Sequence, residues 1–241
     1  MERVLRRHEA SDAVEAIGWR FLLGTLRTAV PVDSVAQGAE AAGTAAAACG
    51  EDADRHLRID VRNRRVVLTL QSLDRAAVTD LDAALAHRIS AALRATGLGT
   101  SADVGSGAPH SVQLLELAID ALDIPAIRPF WRAVLGYGDE AGANGPADPL
   151  VDADFQGPAI WFQQMDRERP QRNRIHFDIA VPHDEAPRRV EAASAAGGRL
   201  LSDRRAPSFW VLCDPEGNEV CVTTWQGRDE DADAGETRYG P

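Results

Sequence analysis

The chain has 241 residues, 44% of them hydrophobic and 26% charged, and no apolar run approaches the roughly 20 residues of a membrane helix. Its formal net charge of −11 is unevenly placed. Residues 1–98 balance 13 Arg against 13 acids, while residues 99–241 set 13 Arg against 24 acids. Neither half has the basic excess of a nucleic-acid binder, so neither a membrane nor a nucleic acid is an expected partner. All 26 basic side chains are Arg, which excludes lysine Schiff-base chemistry. Cys49, Cys213 and Cys221 are too few for a disulfide framework, and the first nine residues lack the apolar segment of a signal peptide. A cytoplasmic protein is the expectation.

In chain order, Ser11 is expected to cap a short helix through Ile17. Trp19–Leu23 and Thr25–Val32 read as a hairpin turning at Gly24. Asp33 is placed to cap an Ala-rich helix to about Ala48. His56-Leu-Arg-Ile-Asp-Val-Arg alternates as a half-buried strand does, Asn63-Arg64 makes a turn, and Val66–Gln71 is the partner strand. Thr79 caps a helix whose Leu81, Leu85, Ile89, Ala92 and Leu93 share a face. These elements predict a four-stranded antiparallel sheet with helices on one side. The arginines Arg55, Arg58, Arg62, Arg64 and Arg65 read as the solvated face of the strand pair.

Four Gly, two Ser and a Pro between Gly97 and Pro109 mark a flexible linker. Beyond it, Val112–Ile119 reads as a strand, Ile124–Leu135 as a helix ended by Gly136, and Ala159–Met165 as a strand. Ile175–Val181 opens a second module, Glu185–Ala196 is its helix, and Phe209–Cys213 with Glu219–Thr223 form a hairpin around Asp214-Pro-Glu-Gly-Asn. The order is a duplicated βαβββ unit. Gly227–Pro241 is acidic, almost free of apolar residues, and reads as a disordered tail.

Glu51, Arg55-His56-Leu57, Gln71-Ser72-Leu73 and Val78-Thr-Asp-Leu-Asp82 follow the spacing of a known motif. Over roughly residues 11–96 the chain resembles the pterin-4a-carbinolamine dehydratases. That family carries His-His-Pro before a strand, a Thr-His ending the next strand, and a helix opening Leu-Thr-x-x-Asp. His56 falls on the second His and Asp82 on the helix Asp. Arg55, Leu57 and Leu73 replace the first His, the Pro and the later His. The resemblance implies a lyase that dehydrates a 4a-hydroxytetrahydropterin, with His56 and Asp82 as catalytic candidates and Arg55 beside the substrate. Such a reaction needs one group to take a ring proton and another to protonate the departing hydroxyl, and Leu73 can do neither.

Phe130-Trp131, Leu135-Gly136, Asn173-Arg-Ile-His176 and Asp214-Pro-Glu-Gly-Asn-Glu-Val-Cys221 carry a second resemblance. Over roughly residues 110–226 the chain is similar to the glyoxalase-like, or vicinal oxygen chelate, family. The resemblance implies a cavity lined by inward strand residues, a small-molecule ligand, and a divalent metal. The corresponding ligand positions are Glu116, Gln163 or Gln164, His176, and Cys221 or Glu219, which lies two residues earlier on the same face. His110 and His183 read as loop residues. Trp161, Phe162, Phe209 and Trp210 are candidates for core packing or for an apolar cavity wall, with Trp161 and Trp210 taken as ligand-binding residues.

The expected fold class is α+β: a dehydratase-like α-β-β-α-β-β-α domain over residues 1–98, a linker over 99–109, a glyoxalase-like domain of two βαβββ modules over 110–226, and a tail over 227–241. Three functions remain open: the dehydratase, a metabolite-binding protein without chemistry, and a metal-dependent glyoxalase-like enzyme. The expected partners are a pterin or an apolar or aromatic metabolite, and further copies of the chain, since both families commonly form oligomers.

Overall fold

The computed structural model describes residues 2–103, 112–168, 177–181, 183–224 and 226. The chain is mixed α+β and divides into two compact units, Met1–Leu114 and Leu115–Pro241. Among the described residues no helix is long and apolar enough to cross a membrane.

The first unit runs α1 (Arg7–Val14), β1 (Arg20–Leu22), β2 (Thr25–Pro31), α2 (Val35–Cys49), α3 (Ala53–His56), β3 (Leu57–Arg62), β4 (Arg65–Leu70) and α4 (Asp80–Ala95). The strands form one antiparallel sheet in the order β1-β2-β4-β3. Leu23 and Gly24 both have positive φ, 44° and 74°, as the tight β1–β2 turn requires. Leu26, Val30, Val66, Leu68 and Leu70 project from one face of the sheet into a core shared with Ala41, Ala45, Leu85, Ile89 and Leu93 of the helices. Inside that core the Trp19 indole donates to Ser90 Oγ at 2.9 Å, so its polar atom is satisfied.

Three local expectations are corrected. Helix α1 begins earlier than Ser11, at Arg7, where the Glu9 carboxylate accepts the Arg6 N–H at 2.8 Å. Helix α2 is capped by Ser34, whose hydroxyl accepts from Gln37 N at 3.1 Å, and not by Asp33. The segment read as a linker is anchored where it starts. Ser101 exchanges both backbone hydrogen bonds with Ala29 at 2.8 Å, and Thr100 Oγ1 donates to the Ile17 carbonyl at 2.6 Å. Residues 104–109 of that segment lie outside the described residues.

The second unit runs β5 (Glu116–Ala121), α5 (Ile124–Leu135), β6 (Gly138–Asp139), β7 (Leu150–Val151), β8 (Ala159–Gln164), then β9 (Asp178–Ala180), α6 (Ala186–Ala195), β10 (Arg199–Arg205), β11 (Phe209–Cys213) and β12 (Glu219–Thr223). Each half is a βαβββ module whose first and last strands are parallel neighbours: the sheets are β5-β8-β7-β6 and β9-β12-β11-β10. Strand β5 starts and ends later than Val112–Ile119; of the strand expected over Ile175–Val181, Asp178–Ala180 forms β9, and Ile175 and His176 lie outside the described residues. The hairpin Phe209–Cys213 with Glu219–Thr223 is found as expected. At β10 two register shifts interrupt pairing with β11, between Leu200 and Ser202 and between Ser202 and Arg205.

The two modules share one core. Ile119, Ala121, Ile160 and Phe162 join Ile127, Phe130, Trp131 and Val134 of α5, Ala186 and Ala193 of α6, and Leu212, Val220 and Val222. The Asp123 side chain caps α5 on Ala126 N at 3.1 Å, and Gly136, at φ 72°, ends it. Arg189 of α6 donates to the Val134 carbonyl at 3.1 Å and so satisfies an orphan carbonyl in the last turn of α5. Arg128, almost buried, holds α5 to the β6–β7 region through the Asp148 carbonyl at 2.7 Å and Asp139 Oδ1 at 2.6 Å.

The turn Asp214-Pro-Glu-Gly-Asn couples the modules. Asp214, fully buried, accepts four hydrogen bonds: from Trp131 Nε1 at 3.0 Å, Glu216 N at 3.0 Å, Asn218 N at 2.8 Å and Asn218 Nδ2 at 2.7 Å. Glu216 in turn accepts the Leu122 and Asp123 N–H groups at the entry to α5. Removing this carboxylate strands buried donors. Asp214→Ala is therefore expected to destabilise the second unit by about 3 kcal/mol, read as a fall in the urea midpoint of its transition.

Candidate functional site

In the first unit β3 follows directly on α3, which places His56 at the junction, 2% exposed and facing the start of α4. Thr79 caps α4 and Asp82 is its N3 residue, so Asp82 Oδ2 accepts from Thr79 N at 2.6 Å and Thr79 Oγ1 at 2.8 Å. The other oxygen, Asp82 Oδ1, meets His56 Nδ1 at 2.9 Å. One carboxylate thus completes a capping box and fixes the imidazole plane. The remaining ring nitrogen, His56 Nε2, faces the Glu2 carboxylate at 3.7 Å. Glu2 is held there because its segment lies along the entry to α4: Leu5 N donates to the Val78 carbonyl, Asp80 N to the Arg3 carbonyl, and Arg3 N to Asp80 Oδ1.

The structure brings His56 and Asp82 together but leaves the ring enclosed. Arg55 projects outward and pairs with Asp52 at 3.6 Å. Leu73 N donates to the Arg55 carbonyl, so this part of the motif spacing folds into one neighbourhood, with an aliphatic side chain where a proton carrier is expected. Elsewhere in this unit a cavity of about 430 Å³ is lined by Glu15, Gly18, Arg20, Ser90, Arg94 and Thr100. None of these was singled out from the sequence, and no motif marks them.

In the second unit β5 and β8 bury alternate residues against α5, leaving the opposite face open. The register pairs Glu116 with Ala159, Ala118 with Trp161 and Asp120 with Gln163, and neighbours in register share a face. Trp161 is therefore an outward-facing ring, 38% exposed, beside an alanine. Trp210 is partly buried and packs against the core cluster, of which Phe162 is a member.

The same register separates the candidate metal ligands. Gln163 stands beside Asp120, four residues along β5 from Glu116, which at about 3.3 Å per residue is roughly 13 Å. Gln164 turns its amide to the Ala121 and Leu122 carbonyls. Glu140, missed in the sequence, shares its surroundings with Glu116: burial first, then the charges of Glu116 and Asp148, pushes its carboxyl above the usual range. The two are 24 residues apart in the chain, and no sequence motif links them.

On the second sheet Cys221 lies opposite Asp178, with Glu219 two residues away on the same face. Cys221 is 3% exposed. Burial, the Asp178 charge and a hydrogen bond to Asp178 push its thiol up to about 12. A thiol held protonated is a poor metal ligand and a poor nucleophile. His176, and also His110, lie outside the described residues. Among the described residues no three His, Cys, Asp or Glu side chains stand close enough to share an ion. The described part of the donor set does not fit a metal centre.

Against this geometry the comparisons can be placed. The sequence model of the glyoxalase-like domain family matches residues 116–223. Among similar solved structures is a glyoxalase/bleomycin resistance protein/dioxygenase family enzyme from Burkholderia phytofirmans PsJN, at 20% identity over 45% of this chain and 95% of that one, with a TM-score of 0.38. Another is the fosfomycin resistance protein FosX from Mesorhizobium loti, at 13% identity over 49% and 96%, with a TM-score of 0.39. No curated protein matches. Residues 116–223 of the second unit are thus similar to glyoxalase-like domains. The match lies wholly within that unit and lends no support to a pterin dehydratase in the first.

The thiol chemistry is directly testable. Because its folded state favours the protonated form, Cys221 is expected to resist iodoacetamide in native protein at pH 8 and to react on unfolding, read by peptide mass spectrometry. Native alkylation at the rate of a free cysteine would contradict the buried Asp178–Cys221 pairing.

Proposed function

We propose that the glyoxalase-like unit binds an apolar or aromatic metabolite on the open face of β5 and β8 and acts by holding it, without converting it. The observation that carries this reading is Trp161, a half-exposed indole beside Ala118. A flat ring with a small residue at its side offers a stacking surface for a planar ligand. Glu116, Asp120 and Gln163, on the same face, supply polar groups to orient it. Trp161→Ala is expected to weaken binding of such a ligand by roughly tenfold or more, in titrations that follow tryptophan fluorescence. Any product formed from the ligand would overturn the holding role.

A metal-dependent glyoxalase-like enzyme is the second reading, on the likeness of residues 116–223 to glyoxalase-like domains. It requires a bound divalent ion in the purified protein, so elemental analysis separates it from the first. We further propose that copies of the chain associate, on the analogy of the family alone.

For the first unit the reading is a 4a-hydroxytetrahydropterin dehydratase-type lyase. Its support is the His56–Asp82 pair, in which the carboxylate orients the ring through Nδ1 while Nε2 is turned toward Glu2. Dehydration of a synthetic 4a-hydroxytetrahydropterin, followed by stopped flow, is expected to exceed the spontaneous rate and to lose that acceleration in His56→Ala. Equal rates with and without protein would leave the pair a structural one.

A further inference from the structure

The imidazole of the first unit is closed off by a short length of chain. His56 is buried and has a carboxylate at each ring nitrogen, Asp82 at Nδ1 and Glu2 at Nε2. The two carboxylates are held in different ways. Asp82 belongs to the first turn of α4, and its second oxygen accepts from Thr79 N and Thr79 Oγ1. Glu2 belongs to the segment ahead of α1 and meets the ring from outside that turn.

That segment is bound lightly. It pairs with the entry to α4 through an isolated bridge, Val4 to Thr79. Leu5 N donates to the Val78 carbonyl at 2.9 Å, Asp80 N to the Arg3 carbonyl at 3.0 Å, and Arg3 N to Asp80 Oδ1 at 3.0 Å. The Arg3 side chain is exposed and pairs with Glu9 at 3.1 Å. Leu5 packs against the core, whereas Val4 is exposed. Exposed hydrogen bonds with little buried apolar surface mark the segments that open locally, well before a domain unfolds. The bonds that fix Asp82 and join it to His56 lie within Thr79, Asp82 and His56 themselves, so the pair keeps its geometry when the segment lifts.

We propose that Glu2–Leu5 is a strap over His56, which swings about Arg6 to open Nε2 to a ligand and closes by laying Glu2 against the ring. Arg6 is the pivot because the Glu9 carboxylate fixes its N–H at 2.8 Å. The proposal rests on the reading of His56 and Asp82 as an acid/base pair. An imidazole with both nitrogens covered cannot exchange a proton with a bound molecule, and the closed strap puts Glu2 where that molecule must stand. The strap therefore sets how often the site is available and leaves the site itself unaltered. Only the open fraction binds, so loosening the strap tightens apparent binding in proportion to the open fraction gained.

The probe is diethyl pyrocarbonate, which acylates accessible imidazole nitrogens, applied to the full chain and read by peptide mass spectrometry. His8, exposed on α1, is the internal reference. In the parent, His56 is expected to react roughly tenfold or more slowly than His8. Glu2→Ala uncovers Nε2. Arg3→Pro removes the N–H that Asp80 holds and leaves Glu2 in place. Each is expected to raise the His56 rate several fold, while the His8 rate and thermal unfolding stay close to the parent's. An unchanged His56 rate in Arg3→Pro overturns the strap. So does a rise confined to Glu2→Ala, which would report the charge beside the ring and no opening. Should a variant fail to fold, amide exchange in the parent decides: the Arg3 and Leu5 amides are expected to exchange well ahead of those of β4, and equal protection overturns the proposal. Turnover of the synthetic 4a-hydroxytetrahydropterin is a separate readout. Labelling that rises as expected, with no dehydration by any of the three proteins, sustains the strap and removes the lyase. Dehydration with unchanged labelling does the reverse.

Discussion

The second unit depends on one buried carboxylate. Among the described residues Asp214 pairs with no cation and is held by four donors, one of which is the indole of Trp131 in the other module. A charge held only by dipoles is stable where every donor is fixed, and here they are fixed by a five-residue turn and a helix packed on it. The duplicated modules therefore do more than touch along an apolar seam. Trp131 reads the position of the last hairpin, and Glu216 of that hairpin covers the N–H groups at the entry to α5. The open faces of both sheets inherit their orientation from this joint.

Much of the architecture was legible because it rests on local chemistry. Thr79 and Asp82 form a capping box three residues apart, and Asp214–Asn218 is a turn that few other foldings satisfy. The hairpin on either side of it was placed to the residue. Strand β5 shifted by several residues, since Val112–Leu115 is as apolar as the strand itself and apolar runs do not mark their own ends. The caps of α1 and α2 were misread because two or three candidate residues stood within reach of each helix start. The competition was decided by Glu9 and Ser34, through bonds that sequence order does not rank.

The sites were less legible than the folds, for a reason that register makes plain. Motif spacing along a chain locates residues on strands, whereas a site is assembled across strands. Glu116 and Gln163 each occupy a plausible inward position, but parallel pairing sets Gln163 beside Asp120. Trp161 and Trp210 have similar neighbours in sequence and different settings: one stands on the open face and the other, partly buried, packs against the core. The same arithmetic works in the other direction for the first unit. There, antiparallel pairing brings Arg27 within one strand of Thr69 and two of Arg58, a grouping invisible in a linear reading. His56 and Asp82 meet because Thr79 caps α4 with Asp82 at its N3 position while α3 runs directly into β3.

The interrupted pairing of β10 has a consequence for how this chain behaves in a crowded solution. An outer strand offers unpaired amides and carbonyls to any passing extended segment, and Leu200 and Leu201 would make such an encounter adhesive. The two register shifts bend the strand at Ser202 and again before Arg205, and Arg199, Asp203, Arg204 and Arg205 place charges on either side of the leucines. A straight intruding strand meets neither a continuous ladder nor an uncharged path. The β10 edge of the second module's sheet is thus guarded against growth by accretion.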